Sequence, residues 1–157
     1  MRLTLRQRGL YFAEKPPERI NRLVSLDGYI PDNGQSIADI VGSEVMEMYE
    51  ENARSLGDGW LLIPDWPDPD PRMTTQPLAA AYTTVVIDDP EVAKIPRAYI
   101  YCTEGKESDP FVRFTIEQIQ KVKADPRWDY REIQTDHGLT ETDDLVEILL
   151  EIGGRAG

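Results

Sequence analysis

Residues 98–103 read Ala98-Tyr99-Ile100-Tyr101-Cys102-Thr103, and this run together with the segments after it decides the fold. The run is rich in β-forming residues and has the length of a strand. Ser108-Asp109-Pro110 then supplies a helix cap and a first-turn proline, and apolar residues recur at helical spacing until Asp125-Pro126. Residues 128–135 alternate as in a strand, and residues 145–152 carry the apolar stripe of a last helix. This β-α-β-α order predicts an α/β fold with parallel strands and flanking helices.

The first half of the chain adds one strand and a helical segment. Leu23-Val24-Ser25-Leu26 is a short apolar run closed by Asp27-Gly28, which predicts a central strand buried on both faces. Residues 35–56 carry apolar side chains at roughly helical spacing with a break near Gly42, so we expect two amphipathic helices. Residues 58–76 alternate proline with aspartate, which predicts an extended surface loop without helix or strand pairing.

Composition and charge exclude several classes of partner. The 157 residues, 40% of them hydrophobic, suffice for one domain with a core. A net charge of −12 repels phosphate backbones and anionic membrane surfaces, so we expect neither nucleic acid nor a membrane as partner. A single cysteine suits the reducing cytoplasm, and no signal peptide or long apolar span is expected. The aspartates of residues 65–70 lack the glycine and distal glutamate of a calcium loop, so we expect no metal, and no cofactor is implied.

Polar residues that follow the predicted strands are the candidates for chemistry, because ligand-handling groups in parallel sheets lie beyond the carboxyl ends of strands. They are Asp27, residues 104–109 and Asp136-His137. His137 is the one histidine of the chain, so it is the only imidazole available for an acid–base role. With carboxylates on neighbouring loops it can serve as a general base oriented by an acid. The alternative is a surface imidazole near a helix start.

Several segments, taken in order, resemble a known enzyme family. They are residues 23–28, 30–36 and 96–103, Asp109-Pro110-Phe111, and Thr135-Asp136-His137 ahead of a Leu-rich last helix. Together they resemble the α/β-hydrolase fold, and within it the small esterases similar to plant methyl-ester esterases and bacterial pyrethroid-type carboxylesterases. The resemblance runs from about Tyr11 to Ile152. It implies a single, partial α/β-hydrolase domain over residues 1–157, with core segments 1–31 and 91–157 and a helical cap inserted at 32–90.

The resemblance implies a serine-type hydrolase of small hydrophobic carboxylic esters. In this family a serine on a G-x-S-x-G elbow attacks the ester, and His137 is the base that would deprotonate it and then protonate the leaving alkoxide. None of the five serines of this chain lies between glycines in that pattern. The resemblance therefore covers the part of the fold that follows the elbow, with the nucleophile expected upstream of Met1. We expect no esterase activity from residues 1–157 alone.

The acid that would orient His137 has three candidates. Asp109 is the first, because the Asp-Pro-Phe segment matches shorter bacterial members of the family, although an aspartate before Pro110 is equally an ideal helix N-cap. Glu104 is the second, at the end of a strand. Asp27 is the third, because some members of the fold draw their acid from the strand after the nucleophile helix. Plant-type members carry an aspartate where this chain has Gly105.

A non-catalytic role is the alternative function. In that case the chain is a truncated or split relative that binds a hydrophobic small molecule, such as an ester or aromatic ligand. An apolar pocket under the cap is one interpretation of Trp60, Trp66, Met46, Met48 and Tyr49, and the core of the cap is the other, which we prefer for the methionines. The chain would otherwise pair with a partner chain or a second copy. A half sheet exposes the edge of the strand at residues 23–26, and exposed edges recruit partners.

Overall fold

The structure is a computed structural model that describes residues 20–64, 74–106, 112–137 and 142–154. Within these ranges the chain forms five strands and five helices. The strands are β1 (Leu23–Leu26), β2 (Leu61–Leu62), β3 (Gln76–Pro77), β4 (Arg97–Cys102) and β5 (Trp128–Ile133). The helices are α1 (Ile37–Leu56), α2 (Ala79–Tyr82), α3 (Pro90–Lys94), α4 (Val112–Ala124) and α5 (Asp143–Gly154). None of these helices has the length and apolar character needed to cross a membrane.

The main sheet has three parallel strands in the order β1-β4-β5. The predicted parallel strands with flanking helices are therefore confirmed. The prediction that residues 23–26 form the central strand is wrong for the described sheet, where β1 lies at an edge and β4 takes the centre. Burial gives the physical reason. Val24 of β1 is 39% exposed, whereas Ala98, Tyr99 and Ile100 of β4 are fully buried.

Helices cover the sheet on both faces, because successive side chains of β4 point to opposite sides. On one face, Ala98 and Ile100 pack with Leu145 and Ile152 of α5. On the other face, Tyr99 packs in one cluster with apolar residues of α4 (Ile119 and Val122). In the described part of the chain the sheet is thus the middle of three layers.

The helical segment between β1 and β4 has an apolar core of its own. Helix α1 begins at Ser36, whose side chain forms a capping box with Asp39, and it is broken at Gly42, where φ is 75°. The predicted interruption near Gly42 is thereby confirmed. The core includes Val45 and Met46, and Phe114 of α4 joins it. The division into core segments 1–31 and 91–157 with an insertion at 32–90 stays a prediction.

The prediction of an unpaired loop over residues 58–76 is wrong at both ends of that range. Strand β2 pairs antiparallel with β3, with Leu61 opposite Pro77 and Leu62 opposite Gln76. Prolines are tolerated in short edge strands, where a missing N–H faces away from the partner. Residues 65–73, which carry most of the prolines and aspartates, lie outside the described residues.

Candidate active site

Three loops meet at the carboxyl ends of β1, β4 and β5. The loop after β4 is joined to the end of β5 by two backbone hydrogen bonds, in which Thr103 N–H donates to Ile133 (3.0 Å) and Glu104 N–H donates to Thr135 (2.8 Å). The end of β1 is joined to β4 through Asp27 N–H, which donates to the Ile100 carbonyl at 2.7 Å. These bonds extend the parallel pairing past the strands and fix the three loops at one edge of the sheet.

Gly105 allows the loops after β4 and β5 to approach each other closely. Its φ of 71° lies in the left-handed region that favours glycine. A Cβ atom at this position would also lie 3.1 Å from the Cβ of Asp136, tighter than ordinary contact. Gly105 thus allows Asp136, the residue before His137, to lie against the end of β4.

Asp27 is the centre of the cluster that these loops form. Its side chain is 2% exposed, and one carboxylate oxygen, Oδ2, accepts two hydrogen bonds. One comes from His137 Nδ1 at 2.7 Å and the other from Lys106 Nζ at 2.8 Å. The other oxygen, Oδ1, accepts from the backbone N–H of Cys102 at 3.3 Å. Asp27 has a φ of 45°, a left-handed conformation that aspartate tolerates better than most residues and that turns the chain as β1 ends.

The carboxyl group of Asp27 is held ionised. Burial alone would raise its pKa, but the hydrogen bonds from His137 and Lys106 and the positive charge of Lys106 bring the pKa below its ordinary value. An ionised carboxylate only accepts hydrogen bonds, so Nδ1 of His137 carries the proton in the bond to Asp27. The lone pair of the neutral ring is then on Nε2. The His137 side chain is 47% exposed, so the ring is open to a reactant.

The structure brings together two of the four predicted site residues. His137 meets Asp27, the third-ranked acid, although 110 positions separate them in the chain. Glu104 is exposed, and its backbone N–H rather than its carboxylate joins the loop after β5. Asp109, the first-ranked acid, lies outside the described residues.

Lys106 is a site residue that the sequence patterns above do not single out. Its side chain is only 12% exposed, and its ammonium group lies 5.0 Å from the centre of the Tyr101 ring as well as against Asp27. A signal for it exists in the sequence. Lys106 follows a predicted buried strand by four residues and lies near two predicted acidic loops. A carboxylate buried among those loops requires a positive charge beside it.

Among the described residues, no serine is hydrogen-bonded to His137. Hydrogen bonds from the described serines, Ser25, Ser36, Ser43 and Ser55, do not reach His137, and Ser108 lies outside the described residues. Within the described ranges there is also no group of three histidine, cysteine, aspartate or glutamate residues able to hold a metal ion. The cluster is therefore an imidazole oriented through Nδ1 and 47% exposed, a geometry suited to accepting a proton from a hydroxyl group at Nε2.

A groove of about 420 Å³ lies away from this cluster, between the edge strand β1 and the last helix. Its lining is mostly apolar and consists of Ile20, Asn21, Arg22, Val24, Leu149, Ile152 and Gly153. Trp60, predicted to lie in a ligand pocket under the cap, is 57% exposed, and Trp66 is outside the described residues. No protein-family model, curated protein or solved structure matches this chain.

Proposed function

We propose that Asp27 and His137 are the acid and the base of a serine-type carboxylic-ester hydrolase of the α/β-hydrolase kind. One observation carries the proposal. A buried, ionised carboxylate accepts a 2.7 Å hydrogen bond from Nδ1 of the only histidine, at the carboxyl ends of parallel strands. The resemblance implies a histidine loop at this position. Asp27 also precedes His137 in the chain, as the acid precedes the histidine in that family.

Because Nδ1 of His137 is hydrogen-bonded to Asp27, the proposed reaction uses Nε2. This nitrogen takes the proton of a serine hydroxyl as the serine oxygen attacks the acyl carbon of the ester, and Asp27 stabilises the imidazolium that forms. The imidazolium then gives its proton to the leaving alkoxide. Water repeats these steps on the acyl-enzyme, releasing the carboxylic acid and restoring the serine. Because none of the five serines of the chain has the elbow pattern, the proposal places the serine and the oxyanion donors outside residues 1–157.

Asp27 takes the role of acid in this proposal in preference to Asp109 and Glu104. The carboxylate of Asp27 contacts the ring directly, and its burial keeps water from competing for the hydrogen bond. This assignment agrees with members of the fold that draw their acid from the strand after the nucleophile helix. Asp109 lies outside the described residues, and its position before Pro110 stays equally compatible with a helix N-cap.

Hydrolysis of p-nitrophenyl acetate tests the proposal in two proteins. Residues 1–157 alone are expected to show no turnover that depends on His137. The DNA immediately upstream, translated in three frames, is expected to encode a glycine-flanked serine, and the protein extended to include it is expected to hydrolyse the ester. In the extended protein, His137→Ala and Asp27→Asn should each lower kcat by a factor of about 10³ to 10⁴.

Glu104→Gln is the matched control, because it removes an exposed carboxylate from the same group of loops. It should change kcat of the extended protein by less than about threefold, as expected for an exposed charge. The proposal fails if no upstream frame encodes such a serine, or if turnover survives His137→Ala. A loss of activity in Asp109→Asn but not in Asp27→Asn would transfer the role of acid to Asp109. Ordinary turnover by residues 1–157 that disappears in His137→Ala would contradict the missing nucleophile.

The second candidate function, binding without catalysis, is favoured by the edge of β1. In the described part of the chain, β1 pairs only with β4, and Leu149 of α5, which lines the groove, is 43% exposed. An edge strand with apolar neighbours offers a surface for a partner chain, a second copy or a hydrophobic ligand. Sedimentation velocity with Leu149→Glu as the comparison tests it. A monomer in both proteins, with no saturable uptake of a hydrophobic dye, would count against binding.

A further inference from the structure

We propose that Lys106 is a positioning residue that keeps the buried Asp27 carboxylate ionised against His137 and, through its own charge, keeps the His137 ring in its neutral, basic form. The inference rests on the proposed function in one respect, that His137 has to act as a base. The electrostatic coupling among Asp27, Lys106 and His137 does not depend on whether an ester is the substrate.

Burial is the reason that Asp27 needs a cation beside it. A carboxylate that is 2% exposed cannot stay ionised without compensation, because removing an isolated charge from water is costly. A neutral imidazole supplies a hydrogen bond but no charge. Lys106 supplies the charge, 2.8 Å from Oδ2, and is itself 12% exposed. Asp27 and Lys106 therefore form a buried ion pair, and the hydrogen bond from His137 is made to an anion whose charge is already matched.

The shared carboxylate oxygen couples Lys106 to the histidine ring. His137 Nδ1 and Lys106 Nζ both lie against Oδ2, at 2.7 Å and 2.8 Å, so the two nitrogens are at most about 5.5 Å apart. A protonated ring would place two positive charges within that distance around one negative charge. A neutral ring leaves the cluster neutral. Lys106 thus opposes protonation of His137, whereas a carboxylate without the lysine would favour it.

Other charges near the ring are exposed and weaker. Glu104 is on the loop after β4, and Asp136 precedes the histidine on the loop after β5; both residues are exposed to solvent. Tyr101 lies under Lys106, and burial raises the pKa of its phenol, so it is uncharged at neutral pH. Of the described groups that contact the ring or its carboxylate, only Asp27 and Lys106 carry charge in a buried setting.

The single histidine makes the test direct. In protein prepared without a histidine tag, the ring C–H resonances of His137 give the only imidazole titration in the NMR spectrum. We expect the pH midpoint of this titration to rise by about one unit in Lys106→Met, because a charge about 5.5 Å away is removed from a partly exposed ring. Lys106→Arg keeps the charge and should leave the midpoint within about 0.3 units of the original. Asp27→Asn should lower it, since the lysine then acts alone.

Lys94→Met is the matched control. Lys94 belongs to another ion pair, with Glu91, and precedes the amino end of β4, at the far end of the strand from the cluster. Its removal should not move the midpoint. If Lys106→Met does not fold, Lys106→Gln serves, since its amide keeps a hydrogen-bond donor for Asp27 without the charge.

The inference is overturned if the midpoint in Lys106→Met or Lys106→Gln equals that of the Lys94→Met control, or if it falls. The measurement needs no substrate and no serine, so it is independent of the ester hydrolysis assay. An upward shift together with an absent upstream serine would keep the charge relation and remove the hydrolase. If Lys106→Met leaves the midpoint unchanged while the extended protein is active and needs His137, the hydrolase proposal stands and the role of Lys106 is refuted.

Discussion

Replacing Asp27 by asparagine should destabilise the protein far more than a typical loss of surface charge. Asparagine suits this position sterically, because like aspartate it tolerates the left-handed φ of 45° that the end of β1 requires. The substitution therefore removes the charge and one acceptor while leaving the backbone unstrained. What remains is Lys106, 12% exposed, with no negative charge against it.

The magnitude follows from the three hydrogen bonds that Asp27 accepts. An asparagine amide has one oxygen, so it can accept from Lys106 and His137 on one side or from the Cys102 N–H on the other, and its own N–H groups then face a donor. Unpaired buried polar groups cost about 1 to 3 kcal/mol each, and a buried charge without its partner costs about 3 to 5 kcal/mol. Lys106 can turn partly toward solvent, so we expect about 3 kcal/mol in total.

Urea unfolding at pH 7, followed by circular dichroism, measures this change. A loss of about 3 kcal/mol multiplies the unfolding equilibrium constant by about 150 and lowers the midpoint by roughly 1.5 M urea at constant slope. Asp32→Asn is the control, because Asp32 forms an ion pair with Lys121 in which both side chains are more than half exposed. That pair should contribute less than about 1 kcal/mol. If Asp27→Asn and Asp32→Asn destabilise equally, the buried cluster does not exist as described.

Three further outcomes are expected. The difference in unfolding free energy between the original protein and Asp27→Asn should be full at pH 7 and shrink below pH 3.8. A carboxyl group whose pKa is lowered by folding stabilises the fold above its ordinary pKa and loses that contribution as it is protonated in the folded state. Urea titrations at several pH values measure the difference, and a value that stays constant with pH would contradict the prediction. Gly105→Ala should cost about 1 to 2 kcal/mol, since alanine is strained at a φ of 71° and its Cβ would crowd Asp136 at 3.1 Å; an unchanged urea midpoint would show that the loops can separate freely. Ser36→Ala should cost about 1 kcal/mol through loss of the α1 cap, measured in the same way, and Ser43→Ala, further along the helix, should not.

The elements of the fold follow from local patterns in the sequence, whereas strand order depends on distant parts of the chain. The spacing of apolar residues in α4 and α5 and the β-rich run at 97–102 are local properties, and each predicts its element within a few residues. The pattern of residues 23–26 does not fix their place in the sheet, because an apolar run of four is equally compatible with a central strand and with an edge strand covered by a helix. The pairing of Leu61 and Leu62 depends on Pro77 and Gln76, which lie beyond a proline-rich segment with no strand pattern.

Site residues show the same division between local and distant information. Carboxylates at three strand ends are visible in the sequence, but which of them reaches His137 depends on the order of strands and on backbone conformation. The φ of 45° at Asp27 turns its side chain over the end of the sheet, where it accepts from the Cys102 N–H. No sequence pattern specifies that turn. The sequence shows that Lys106 lies near acidic loops, but its pairing with Asp27 becomes apparent only once the burial of Asp27 is known.

Strand order also bears on how a carboxylate at the end of β1, rather than one on the neighbouring strand β4, contacts His137. Strands β1 and β5 flank β4, so Asp27 and His137 start about 10 Å apart and must bridge over the carboxyl end of β4. This contact requires that no bulky side chain lies above β4 and that a positive charge is close to the carboxylate. Gly105 leaves the space free, and Lys106, the next residue of the same loop, supplies the charge. A larger side chain at position 105 would occupy this space itself, so the contact between Asp27 and His137 depends on both Gly105 and Lys106.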